Sequence, residues 1–275
     1  MKEYPWDQIE PIQLFSDFVK VIGIAHLGPE KYGEKKFFGK KLGVLNGSAW
    51  IMLWASYFGR RFLPGVHLVN AGNEAMQLNF MKAHKEGKPT PPQSNIDTMV
   101  RYALDLVELA DVDAVIITCS TMNRSYPAVS RALEPYGVPV IQIDRPMMER
   151  AVERGGRVLV VATHGPTVKS TQSLLKETAE ELGKDIEFSG LHIEEPWEHL
   201  ENFDIKAHNE SLAEAVRKKI SEEDFDSVVF AQLSMTAFLL SCPEPEKEFG
   251  IPIFTSGQCG FETIRDLFLG MDDKS

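Results

Sequence analysis

The stretch Asp113-Ala114-Val115-Ile116-Ile117, with the later run Gly137-Val138-Pro139-Val140-Ile141, decides the fold because it occurs twice. Its second copy is Asp226-Ser227-Val228-Val229-Phe230 with Gly250-Ile251-Pro252-Ile253-Phe254, both at an offset of 113 residues. Short β-branched runs bounded by Asp, Gly or Pro read as strands buried on both faces of a parallel sheet. The connector keeps its length in both copies, so the repeated unit is strand, connector and strand together.

A looser pair precedes each copy. Leu42 to Leu45 leads into Asn46-Gly47-Ser48, and Val158 to Val161 leads into Ala162-Thr163-His164-Gly165. Between these strands, Ile96 to Leu109 and Ser211 to Ile220 carry apolar residues three and four apart, the pattern of one-faced helices. Strand and helix alternating twice over predicts an α/β fold of two lobes, each a mainly parallel sheet flanked by helices. The expected divisions are an N-terminal extension (1–39) outside the repeat, a first lobe (40–145), a second lobe (146–255) and a C-terminal segment (256–275). The second lobe is entered through a helix over Pro146 to Gly156, and a helix over Phe261 to Leu269 is free to return to the first lobe.

The 275 residues suffice for about two domains. With 29 Lys and Arg against 40 Asp and Glu, the net charge of −11 argues against a nucleic-acid footprint or a polybasic membrane surface. Three cysteines, an odd number with no CxxC pair, fit a reduced protein. The start lacks a signal-peptide pattern and no apolar run reaches spanning length, so a cytoplasmic location is expected. Lys35 to Lys41, a basic-aromatic cluster, reads as a solvated edge or a subunit contact. Asn70 to Asn95, with Pro89, Pro91 and Pro92, reads as an irregular loop over the site or another such contact, in a homodimer or higher homo-oligomer. Trp50 and Trp54 read as the apolar face of the first-lobe helix.

Ligands of parallel α/β sheets bind beyond the carboxyl ends of the strands. There the chain places Thr118-Cys119-Ser120-Thr121 in the first lobe and Thr163-His164 with Thr167 in the second. Hydroxyls and helix N-termini at both ends suit a carboxylate. Cys119 at a helix start is expected to have a lowered pKa, the alternative being a buried structural thiol. Asn46 and Ser48, at the first strand end, are candidates for a second polar group of the ligand, although Asn-Gly-Ser is also ordinary turn composition.

On these residues the chain resembles the aspartate/glutamate racemase superfamily, which includes hydantoin racemases, maleate isomerases and arylmalonate decarboxylases. The likeness covers about residues 40–270. The turn Thr118 to Thr121 resembles the family's Cys-Asn-Thr turn, and Thr163 to Thr167 its second-lobe Thr-x-x-x-Thr turn. The resemblance implies two pseudo-symmetric lobes with the active site between them, no metal and no pyridoxal phosphate, and a small carboxylate substrate. It also implies one cysteine from each lobe, on opposite faces of the substrate α-carbon.

Here the repeat places Gln232, not Cys, opposite Cys119, and a slip in register reaches only Leu233 or Ser234. An amide does not relay a proton as a thiol does. Cys242 reads as structural, and Cys259, just after the last strand, as a thiol that could approach the cleft. His164 is an alternative proton carrier. Three readings follow. Cys119 works with His164 or a water held by Gln232 in a racemase or isomerase. Alternatively, Cys119 alone protonates the enediolate left by decarboxylation of a malonate-like acid. In the last, the chain binds carboxylates without turnover. In both catalytic cases Ser120, Thr121, Thr163 and Thr167 hold the carboxylate, with Ser234 on the opposite turn.

Overall fold

The computed structural model describes residues 8–23, 33–163 and 165–271, leaving the side chains of Gly165 and Pro166 aside. The N-terminal part holds α1 (Pro11–Ile22), β1 (Lys41–Asn46), α2 (Ala49–Phe62), β2 (His67–Gly72), α3 (Glu74–Lys85), α4 (Gln93–Ala110), β3 (Ala114–Ile117), α5 (Tyr126–Leu133) and β4 (Val140–Gln142). Then come α6 (Arg145–Arg154), β5 (Arg157–Ala162), α7 (Gly165–Glu181), β6 (Glu187–His192), α8 (Glu195–Glu201) and α9 (Ile205–Glu222). The chain closes with β7 (Ser227–Phe230), α10 (Phe238–Ser241), α11 (Pro245–Phe249), β8 (Ile253–Thr255) and α12 (Ser256–Gly270).

Two four-stranded sheets result, in the orders β2-β1-β3-β4 and β6-β5-β7-β8, with every pair parallel. Every residue of β3 and β7 is fully buried, which is why both read as apolar runs, broken only by Ser227 at the start of β7. The repeat extends to hydrogen bonds. The Asp113 carboxylate accepts from the Lys41 amide at 2.7 Å, and Asp226 accepts from Arg157 at 2.7 Å. Each Asp thus pins the start of one central strand to the start of the next, explaining its place at the head of both copies.

One apolar cluster crosses between the lobes. Leu42, Val44 and Phe58 of the first pack with Leu233 and Ala237 of the second and with Phe261, Ile264 and Phe268 of α12. At about 1.5–3 kcal/mol for each large side chain fully buried, this seam fixes the two sheets relative to one another. The helix α12 packs on both α2 and α6 and so bridges them. It begins at Ser256, five residues ahead of the expected Phe261, directly where β8 ends.

Several expectations are corrected. The stretch from Asn70 to Asn95 is mostly regular: it ends β2, forms α3 and enters α4. Asn73 caps α3 by accepting from the Ala75 amide, and Met76, Phe80 and Ala83 make its buried stripe, a helical period masked by the surrounding polar residues. Cys259 lies inside α12 in a core cluster with Met147 and Val152, and does not approach the cleft. Phe37, within the basic-aromatic cluster, is fully buried in the interlobe seam, while Lys36 pairs with Glu34. Among the described residues no helix is long and apolar enough to cross a membrane.

Candidate functional site

The strands β3 and β7 end in turns of the same build. Thr118 N–H donates to the Leu45 carbonyl at 3.0 Å and Ala231 N–H to Val161 at 3.1 Å. Cys119 and Gln232 then each precede a 3₁₀ turn, Ser120–Ser125 and Leu233–Ala237, closed by Met122 N–H to Cys119 O and Met235 N–H to Gln232 O. The turns touch, since the Ser120 hydroxyl donates to the Ala231 carbonyl at 3.0 Å. Cys119, Ser120, Gln232, Thr163 and Ser234 are therefore gathered where the lobes meet.

In the first lobe the thiol sits over Gly47, where a Cβ would stand 2.7 Å from Sγ, so this close approach requires glycine. Thr121 Oγ1 lies 3.0 Å from Sγ. Cys119 is only 7% exposed, and burial pushes its thiol up from the ordinary value. Hydrogen bonds from Thr121 and the Met122 amide work the other way but do not prevail, and the nearby Asp144 carboxylate adds to the rise. This corrects the expectation of a lowered value: the thiol opens a 3₁₀ turn and is buried in the first-lobe core, without the solvated α-helix N-terminus that would stabilise a thiolate.

In the second lobe the Gln232 amide reaches back to Thr163, accepting from its N–H at 2.8 Å and its hydroxyl at 3.0 Å. Ser234, the counterpart of Thr121, is buried with its Oγ unpartnered among the described residues. Thr167 is buried in the first turn of α7. The hydroxyls of Ser120, Thr121 and Thr163, expected to grip a carboxylate, are thus engaged in holding the turns. Asn46 is fully buried and works within its own lobe, donating to Val44 O and Asn70 Oδ1 and accepting from the Thr118 hydroxyl. Ser48 is buried at the start of α2 without capping it. His164 lies outside the described residues. Cys242 is buried in the second-lobe core.

Two features escaped the sequence reading. Trp50 is not on the buried face of α2: it is 40% exposed and meets Trp197 of α8 edge to face, centroids 6.1 Å apart. These indoles, one from each lobe, touch on the side of the sheets where the strands end. The second is Asp144, just past β4, which is 2% exposed with its carboxyl raised to about 6 by burial. The signal was present, because β4 is itself a repeat strand whose carboxyl end deserved the same scrutiny as those of β3 and β7. Among the described residues no group of three or more His, Cys, Asp or Glu side chains could hold a metal ion.

A family model described as Asp/Glu/Hydantoin racemase matches residues 74–264. No curated protein matches the chain significantly. Among solved structures, an aspartate racemase homologue from Pyrococcus horikoshii OT3 is 16% identical, with TM-score 0.62, covering 84% of this chain and 99% of its own. Allantoin racemase from Klebsiella pneumoniae is 16% identical, TM-score 0.55, covering 86% and 95%. A glutamate racemase isoform from Bacillus anthracis is 17% identical, TM-score 0.54, covering 84% and 82%. At such identities the likeness to these structures establishes the shared fold.

Proposed function

The chain belongs to the Asp/Glu/hydantoin racemase family, and on that premise we propose that it is a cofactor-independent racemase or isomerase moving a proton at the carbon next to a carboxylate. The observation that carries this reading is Cys119, a thiol in hydrogen-bond contact with Thr121 at the carboxyl end of a central strand, next to Ser120, whose hydroxyl meets the turn of the other lobe. Cys119 acts as the acid-base group. Binding the carboxylate requires the Ser120 hydroxyl to exchange the Ala231 carbonyl for it, since a hydroxyl has one proton to donate. Thr167 and Ser234 supply further hydroxyls, and donors fixed by the fold stabilise the enediolate as its charge develops. In this reading the opposite face is served by His164 or by a water on the Gln232 amide.

A second reading has specific support. Cys119 rests as a thiol, and Gln232, held by Thr163, offers no base. A resting thiol opposite an amide suits one-sided proton delivery, as in decarboxylation of a malonate-like acid: the carbon–carbon bond breaks, carbon dioxide leaves, and the thiol protonates the enediolate. The test is a panel of amino acids, hydroxy acids and malonates in deuterated buffer, followed by proton NMR and carbon dioxide release. Exchange with inversion supports the racemase, and carbon dioxide release supports the decarboxylase. Tight binding of small dicarboxylates with neither reaction contradicts both and leaves a carboxylate-binding protein.

A further inference from the structure

Asp144 precedes Arg145 and Pro146 at the start of α6, where an Asp ordinarily caps the helix. It does not: its side chain accepts no bond from α6. The carboxyl turns toward the seam, where Oδ2 accepts from Asn123 Nδ2 on the turn that carries Cys119. The hydroxyls of Ser120, on that same turn, and of Ser256, the first residue of α12, border it as well. Asp144 Oδ1, Asn123 Oδ1 and Ser256 Oγ are all buried without a hydrogen-bond partner among the described residues. Unpartnered acceptors at such a place are costly, so a role in the fold alone is a poor account of this carboxyl.

The surrounding charges leave it alone. On the thiol's turn stand Cys119 and the exposed Arg124. On α6, Arg145 is drawn to Glu149 and to Glu181 of α7, while Arg150 pairs with Glu262 of α12 and lies beside the buried Cys259. Among the described residues Asp144 has no ion pair, and its charge adds to the burial that pushes the Cys119 thiol up.

We propose that Asp144 is a positioning residue for Cys119: through Asn123 its buried carboxyl ties the turn carrying the thiol to the start of α6, and its charge, added to burial, disfavours the thiolate between turnovers. Forming the thiolate beside an ionised Asp144 would set two negative charges together in a dry seam, which is unfavourable. This rests on Cys119 as the proton-transfer group.

The experiment reads the thiol directly and needs no substrate. Alkylation of Cys119 by iodoacetamide is followed by mass spectrometry against pH, in the wild-type full chain and in Asp144→Asn, with Cys242 and Cys259, both pushed up to about 12, as slow internal controls. The expected result is a midpoint lowered by about one pH unit in Asp144→Asn, hence about tenfold faster alkylation below the midpoint. A purely structural role would change the rate equally at every pH and leave the midpoint in place, and that result overturns the proposal. Should Asp144→Asn not fold, Asp144→Ser decides, since it removes the same charge with a smaller polar side chain and should lower the midpoint likewise; an unmoved midpoint again overturns it. An active Cys119→Ala enzyme would defeat the proposed function and leave the alkylation result standing.

Discussion

The turns after β3 and β7 share a backbone and differ in what they carry. In the first, a short thiol rests on Gly47 and is hydrogen-bonded by Thr121. In the second, a longer amide passes beyond that position to Thr163, whose place in the repeat is that of Gly47, and Ser234 is left unpartnered. Duplication thus preserved the scaffold while the chemistry diverged. In the proposed reading the two turns are two seats for a proton-transfer group, and this chain fills one with a group that can transfer a proton.

The comparison is broken most severely by exchanging small side chains for the two residues. Cys119→Ala is expected to lower turnover by about 10²- to 10⁴-fold, the usual worth of a positioned acid-base group, whereas Gln232→Ala lowers it by less than about tenfold. Initial rates on the acid found in the panel decide this, and equal losses would erase the asymmetry. Filling the second seat is the converse change: Gln232→Cys, with Ser234 as its hydrogen-bond partner, should raise exchange with inversion relative to one-sided proton delivery, read by chiral chromatography in deuterated buffer.

A third prediction concerns stability, where Asp144 has no charged counterpart because its place in the second copy is Gly257. The folded-state carboxyl lies at about 6 against an ordinary 3.8. Its raised value means that its favourable contribution is complete below the unfolded value and is lost as pH rises through about 6. Asp144→Asn should therefore be more stable than wild type at pH 8, by on the order of 2 to 3 kcal/mol, and the advantage should vanish near pH 4. Denaturant melts at the two pH values measure it, and a variant equally destabilised at both would refute the assignment of burial as the cause. The smallest effect is expected at the indoles: Trp50→Ala, which removes the contact with Trp197, should alter KM by a few-fold while leaving kcat nearly unchanged.

The two sheets were legible because β3 and β7 are buried on both faces and, with β4 and β8, repeat at fixed spacing. Edge strands β2 and β6 were not, since their polar and half-exposed residues such as Asn70 and Ser189 lack the apolar run. The positions of Cys119 and Gln232 followed from register alone, and the structure seats both as paired turn openers. The state of the thiol did not follow, because it depends on burial in the seam and on Asp144, which joins the turn only in three dimensions. Likewise the engagement of Ser120 with Ala231, and of Trp50 with Trp197, are contacts between lobes that no local pattern encodes.

The central claim is that Cys119 transfers the proton at the carbon beside the carboxylate. Its most direct test is deuterium incorporation at that carbon in deuterated buffer, measured by NMR for wild type and Cys119→Ala under identical conditions. The account predicts incorporation by wild type and none above background for the variant, with both proteins folded by circular dichroism. Incorporation at the wild-type rate in Cys119→Ala would contradict it.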